Sequence, residues 1–223
     1  RIATTDPLDN ALDWAYFAPA SIAAQLEFRT ELLVETLDTN PFDFFLKPSA
    51  NTFPFSYNPA EQFALAPALA PRADTPPAEL RAWLGARLPV RPTETVPFLT
   101  ALNTAVQQSL AYRPRYEEGI QSAARTLADG GGSCRDYAVF FIELCRSCGV
   151  AARFVSGYLY EPPLDNAPRI HALHAWAEVY LPGAGWRGLD PTHGVFCNDA
   201  YVPLAHSSIA ESINPVQGSF AGP

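Results

Sequence analysis

The chain contains one arrangement of residues that could perform acyl transfer: a thiol at Cys134, an imidazole at His174 and a carboxylate at Asp190. Cys134 follows three consecutive glycines and Ser133, a typical helix-capping residue, so the sequence predicts that it starts a helix. The unpaired amides and positive dipole of a helix N-terminus stabilise a thiolate and can donate to an oxyanion. By position alone the signal is weak, because most cysteines on an apolar helical face are core residues, and the other two residues therefore decide the interpretation.

His174 and Asp190 fall on two predicted strands, 174–181 and 186–190, which flank the turn residues 182–185. If Leu181 pairs with Gly185, Asp190 lies opposite Trp176 and diagonally beside His174. A carboxylate in that place fixes the tautomer of the imidazole and stabilises the imidazolium. The other ring nitrogen is then left to take the proton of the thiol.

The remaining pattern is that of an α+β protein. Apolar residues at helical spacing predict helices over 76–88, 96–111, 119–128 and 134–148, the last ending at Gly149. A β-rich stretch follows at 152–160, so helices precede antiparallel strands rather than alternating with parallel ones. In the first part of the chain, alternation predicts a strand over 25–34, and the proline-rich stretch 41–77 is predicted to be irregular.

Composition limits the possible partners. The 223 residues carry a net charge of -8 with an isoelectric point near 4.9, which disfavours nucleic acid, and contain no apolar run long enough to span a bilayer. A soluble protein without a metal or cofactor is expected, acting on a protein or peptide.

Four cysteines and a working thiol favour a cytoplasmic location. The chain begins with Arg1 and lacks methionine, as expected for a piece of a longer or processed protein; its oligomeric state is not predicted.

Four segments together resemble the core of the bacterial transglutaminase-like family: GSCRDYA from Gly132, CGVAARFVSGY from Cys148, HAWAEVY from His174 and GWRGLDPT from Gly185. The resemblance covers roughly residues 98 to 195. It implies a papain-like α+β core with the cysteine-bearing helix packed on an antiparallel sheet. It also implies that Cys134 is the nucleophile, His174 the general base and then acid, and Asp190 the orienting carboxylate.

The same resemblance divides the chain into part of a β-rich N-terminal module, residues 1–75, and a catalytic core, residues 76–223. Eukaryotic cross-linking members have glutamine before and tryptophan after the nucleophile, whereas this chain has Ser133 and Arg135. The bacterial branch is therefore the better comparison. Trp176, Gly132 and Ser133 are predicted to contact substrate, and Gly132 would let a substrate backbone approach. Trp176 shares the predicted face of His174, where shielding of the imidazole from water and burial for stability explain it equally well.

The expected activity is hydrolysis of a peptide or isopeptide bond, because an open cleft admits water unless water is specifically excluded. Cross-linking of glutamine to amines and a catalytically silent interaction module with the same fold are the alternatives. A zinc site formed by Cys145, Cys148, His171 and His174 is rejected, because the gap between the pairs is long and both cysteines face the core of a helix. The neighbouring polar residues receive structural interpretations: Asp136 favours the helix dipole, Arg153 and Tyr158 support the sheet, and His171 and His193 are loop residues.

Overall fold

The computed structural model of the chain describes residues 1–17, 25, 27, 29–37, 40–115, 117, 119–160 and 173–218. Five α-helices occur in these ranges: α1 Pro59–Leu69, α2 Pro77–Arg87, α3 Thr95–Ser109, α4 Ala123–Asp129 and α5 Cys134–Ser147. The strands are β1 Ile2–Thr5, β2 Ala11–Trp14, β3 Ala111–Tyr112, β4 Gly131–Gly132, β5 Ala152–Leu159, β6 Leu173–Leu181, β7 Gly185–Asp190, β8 Val195–Phe196 and β9 Tyr201–Ser207. Single turns of 3₁₀ helix occupy Pro48–Ala50 and Ala210–Ile213. None of the described helices is both long and apolar enough to cross a membrane.

The centre of the fold is a five-stranded sheet with the order β8-β7-β6-β5-β9, in which every neighbouring pair is antiparallel. The predicted register between β6 and β7 is confirmed, because the pairing runs from Leu181 with Gly185 to Ala177 with Leu189. Ala175, Ala177, Val179 and Leu181 join the core beneath α5. Trp176, which alternates with these residues, instead packs with Val155 and Tyr201 in a separate cluster.

Helix α5 is enclosed by the rest of the domain. Every residue from Asp136 to Arg146 is buried, because the sheet covers one side and α2, α3 and α4 cover the others. Its end has the predicted form: Gly149 adopts a φ of 77°, and the amides of Gly149 and Val150 donate to the carbonyls of Arg146 and Cys145. The α+β class and the packing of the cysteine-bearing helix on an antiparallel sheet are thus as the sequence predicted.

A buried ion pair joins α5 to its surroundings. Arg146 Nη1 lies 2.8 Å from Glu143 Oε1, and the two side chains are 3% and 0% exposed. The same guanidinium donates to the carbonyls of Ala68, Ala152 and Ser208, which belong to three different parts of the chain. Because the Arg146 and Glu143 side chains are shielded from water, removal of either one leaves the other charge buried without its partner.

We expect Arg146→Leu to destabilise the protein by about 3–5 kcal/mol, because it leaves the Glu143 carboxylate buried without its cation. Urea unfolding followed by circular dichroism measures the change. The matched control is Arg125→Leu, which removes the exposed pair with Asp129 and should cost less than about 1 kcal/mol. Equal losses in the two variants would contradict this role for the buried pair.

Two predictions for the first part of the chain are wrong. The described residues of the predicted strand, 25, 27 and 29–34, form no strand and are all exposed, since alternation specifies a strand only where one face is covered. The stretch 41–77 is not irregular throughout, because it contains α1. This helix starts with a capping box formed by Asn58 and Glu61, and with Pro59 at its first position. The proposed domain boundary at residue 75 stays a prediction.

Candidate active site

Cys134 is the first residue of α5, as the sequence predicted. The turn before it is held by Asp136, whose Oδ2 accepts hydrogen bonds of 2.8 Å from both the amide and the hydroxyl of Ser133. A Cβ atom on Gly132 would lie 2.6 Å from Asp136 Cβ, and one on Gly131 would lie 2.1 Å from the carbonyl oxygen of Ala111. The glycines are therefore required by internal packing, which places the thiol at the exact start of the helix.

The Asp136 carboxylate also ties a neighbouring loop to the helix start. It accepts hydrogen bonds from Arg115 Nε at 2.8 Å and from the amide of Gln121 at 2.9 Å, and the side chain is 0% exposed. Burial raises the pKa of Asp136, but these hydrogen bonds and those from Ser133 outweigh burial and hold the pKa below its usual value. Asp136 thus has the structural role expected of it. Besides lying at the positive end of the helix dipole, its carboxylate binds Ser133, Arg115 and Gln121.

His174 lies between Cys134 and Asp190. Its Nε2 atom is 2.7 Å from Asp190 Oδ2, and Cys134 is close enough to be one of the groups that raise the pKa of the imidazole. Because Nε2 faces the carboxylate, Nδ1 is the ring nitrogen available to the sulfur. The structure therefore brings together the thiol, imidazole and carboxylate that the sequence singled out, from α5, β6 and β7.

The surroundings of His174 favour its charged form. Burial lowers the pKa of His174, but the hydrogen bonds to Asp190 and Cys134 outweigh burial and raise the pKa to about 9. Asp190 is 0% exposed; burial raises its pKa, and the hydrogen bonds from His174 and His193 more than reverse this, so the pKa lies well below its usual value. At neutral pH the pair is thus an imidazolium and a carboxylate.

Asp190 has more partners than the sequence indicated. Its Oδ2 accepts from His174, from His193 Nδ1 at 2.6 Å and from the Tyr201 hydroxyl at 2.8 Å, while its Oδ1 accepts from the amide of Thr192 at 2.8 Å. Sequence reasoning missed Tyr201 entirely and treated His193 as an ordinary loop residue. The position of His193 three residues after Asp190, in a turn, was the available signal.

The other residues predicted to contact substrate are buried against the protein itself. Trp176 is 2% exposed; its ring is nearly parallel to that of His174, with centroids 6.2 Å apart, and meets Tyr201 edge to face at 5.3 Å. Gly132 and Ser133 are also buried. Their contact with substrate stays a prediction, while the structure gives all three a role in building the site.

A shared metal explains the His174, Asp190 and His193 cluster less well than hydrogen bonding does. Their donor atoms lie within 4.8 Å of one another, but both histidine nitrogens are only 2.6–2.7 Å from the same carboxylate oxygen. Two ligands of one tetrahedral zinc lie about 3.3 Å apart, given zinc–nitrogen distances near 2.0–2.1 Å. His171, a member of the rejected zinc site, lies outside the described residues.

These features define an α+β domain in which a helix-borne cysteine meets an imidazole held by a buried carboxylate. Residues 86–191, slightly less than half of the chain, match the sequence model of the transglutaminase-like superfamily. The matched residues include Cys134, His174 and Asp190. They end before His193 and Tyr201, the two additional partners of the carboxylate.

Individual relatives cover only parts of the chain. An uncharacterized protein of Mycobacterium tuberculosis (strain H37Rv) is 31% identical over 138 residues, which are 59% of this chain and 43% of that protein. The chain thus spans less than half the length of this relative. A protein-glutamine gamma-glutamyltransferase of Pseudomonas aeruginosa is 37% identical over 68 residues, 29% of this chain and 10% of that protein. A solved structure from Cytophaga hutchinsonii, described as a candidate cysteine protease, has a similar fold, with a TM-score of 0.58 at 22% identity over 74% of this chain and 53% of that chain.

Proposed function

We propose that the domain is a thiol acyltransferase in which Cys134 attacks an amide carbonyl. The sulfur adds to the carbonyl carbon, and the oxyanion that forms lies near the first-turn amides of α5, which have no partner within the helix. The His174 imidazolium then donates its proton to the leaving amine, and a thioester remains on the sulfur. Water or an amine attacks the thioester while His174 takes up the proton of the incoming group. The bond between the acyl carbon and the sulfur then breaks, so that the acyl product leaves and the Cys134 sulfur is restored beside the His174 imidazolium.

The observation that carries this proposal is the double contact of His174. One ring nitrogen faces Asp190 at 2.7 Å, and Cys134 is near enough to raise the pKa of the ring, so a single imidazole connects the nucleophile to a buried negative charge. That arrangement orients the ring and stabilises its charged form during proton transfer. A silent interaction module would have no functional need for this three-residue arrangement.

The expected substrate is a peptide or isopeptide bond that the enzyme hydrolyses. Cleavage follows from the same thioester whenever water reaches it, whereas amine transfer requires a site that excludes water. The description of the Cytophaga hutchinsonii structure as a candidate cysteine protease is consistent with cleavage. The similarity to the protein-glutamine gamma-glutamyltransferase of Pseudomonas aeruginosa makes amine transfer the second candidate.

One incubation separates these activities. The protein is mixed with a glutamine-rich protein and a fluorescent primary amine, and then analysed for incorporated amine and for new chain termini. New termini with no incorporated amine support hydrolysis, and the reverse result supports amine transfer. A result identical to that of Cys134→Ala in both assays, repeated over a peptide library that includes isopeptides, would favour the silent module.

We expect kcat/KM to fall as the pH rises through about 9, because His174 then loses the proton that the leaving amine needs. The pH dependence of kcat/KM, measured with a substrate that has no ionisation in this range, tests the expectation. An activity that stays constant to pH 10.5 would contradict this role of the imidazolium.

A further inference from the structure

A second imidazole binds the carboxylate that orients His174. His193 Nδ1 lies 2.6 Å from Asp190 Oδ2, the same oxygen that His174 Nε2 approaches at 2.7 Å. The two imidazole rings have centroids 5.5 Å apart. Their environments differ, because the His193 side chain is 44% exposed and that of His174 only 12%. One carboxylate oxygen thus connects a buried imidazole to one at the surface.

Several hydrogen bonds hold the turn that carries His193 in the orientation that brings its ring to Asp190. The amide of Thr192 donates to Asp190 Oδ1, and the amide of Gly194 donates to the Asp190 carbonyl at 2.8 Å. On α3, the buried Asn103 donates through Nδ2 to the carbonyls of Asp190 and Val195. The contact between His193 and Asp190 is therefore part of a built turn and not the chance position of a surface side chain.

We propose that His193 is a positioning residue for the reaction, which takes a share of the charge on Asp190 Oδ2 and so limits how tightly that carboxylate holds the proton of His174. The inference rests on the roles proposed for Cys134, His174 and Asp190. Its physical basis is that donors to one carboxylate oxygen share its negative charge, as the hydrogen bond from His193 helps to stabilise the charged form of Asp190. Removal of one donor leaves more of that charge to the others.

The neighbouring titratable groups come from several elements. Asp190 on β7 accepts from His174 on β6 and from the Tyr201 hydroxyl on β9, while Cys134 on α5 contacts the His174 ring. The thiol of Cys197 is close enough to Asp190 to be influenced by its charge, and burial is the first cause that raises the pKa of Cys197 well above its usual value. His193 is the more exposed of the two histidines bound to Asp190.

The test measures the titration of His174 in the resting protein by NMR of nitrogen-15-labelled imidazoles, which does not require turnover. The His174 signal is identified by its loss in His174→Gln. We expect His193→Leu, which removes the donor, to raise the His174 midpoint by on the order of half a pH unit or more. His193→Asn should leave the midpoint unchanged, because the amide nitrogen of asparagine can donate from the position of Nδ1.

His206→Asn is the matched control, because His206 lies on β9 beside Arg153 and Glu178, away from Asp190; it should not move the His174 midpoint. An unchanged midpoint in His193→Leu, or equal shifts in the leucine and asparagine variants, would overturn the proposal. If His193→Leu does not fold, His193→Ala removes the same donor and is judged by the same criterion. Because the NMR titration needs no substrate, it can support or overturn the role of His193 whether or not the activity assay detects turnover.

Discussion

Cys134→Ala is expected to lower turnover by about 10⁴-fold or more, to the level that binding and oxyanion stabilisation alone can supply. The loss follows from chemistry, because alanine has no atom that can form the thioester. The fold should be retained, since the thiol is at the first position of α5 and the turn before it is held by Ser133 and Asp136. Turnover with the substrate found by the peptide library, measured beside the unfolding midpoint, checks both statements.

The same variant should remove the fast-reacting thiol. Burial raises the pKa of Cys145, Cys148 and Cys197 above the usual value, so little of each is thiolate at neutral pH. Mild alkylation followed by peptide mapping should therefore label Cys134 at least about tenfold faster than the other three. The matched control is Cys148→Ser, which changes a half-buried thiol just after the end of α5. This variant should keep the fast labelling of Cys134 and the turnover of the wild type. Equal reactivity of all four thiols would contradict a catalytic role for Cys134.

Local sequence was sufficient to place His174 beside Asp190. The two strands are joined by a tight turn, so pairing Leu181 with Gly185 fixes all later pairs, and the structure has this register. The start of α5 was equally local, because glycines followed by serine interrupt one helix and cap the next. Residues linked through a short turn or a single helix end were thus predictable without knowledge of the rest of the fold.

The additional partners of Asp190 depend on contacts that no local pattern specifies. Tyr201 reaches the carboxylate because β9 pairs with β5, and that pairing has a register shift between Ser156 and Gly157. His193 reaches it because Asn103, about ninety residues earlier in the chain, holds the turn. The glycines before Cys134 were expected to admit substrate, but the nearby Ala111 carbonyl and Asp136 side chain already account for them. Long-range packing therefore decides the surroundings of the site.

Asp190→Asn is expected to lower kcat/KM by on the order of 10³–10⁴-fold, the size of effect known for the same substitution in Ser-His-Asp enzymes. The asparagine amide is neutral and can present a donor to His174 Nε2. That would favour the tautomer with its proton on Nδ1, the nitrogen that faces Cys134, and this tautomer cannot accept the proton of the thiol. The variant should also lose the imidazolium, because the hydrogen bond to Asp190 is one of the contacts that raise the pKa of His174.

Loss of the positive charge on His174 gives Asp190→Asn a pH dependence that distinguishes it from a variant that simply unfolds. In the wild type the His174 pKa is raised from about 6.5 to about 9, so the stability it contributes is complete below pH 6.5 and is lost as the pH rises to 9. Asp190→Asn should flatten this dependence and move the alkaline limit of activity to lower pH. Asp129→Asn, which changes a carboxylate paired with Arg125 at the surface, should do neither. If Asp190→Asn kept its activity within tenfold and its alkaline limit near 9, then Cys134 and the remaining contacts would hold the His174 proton without the carboxylate.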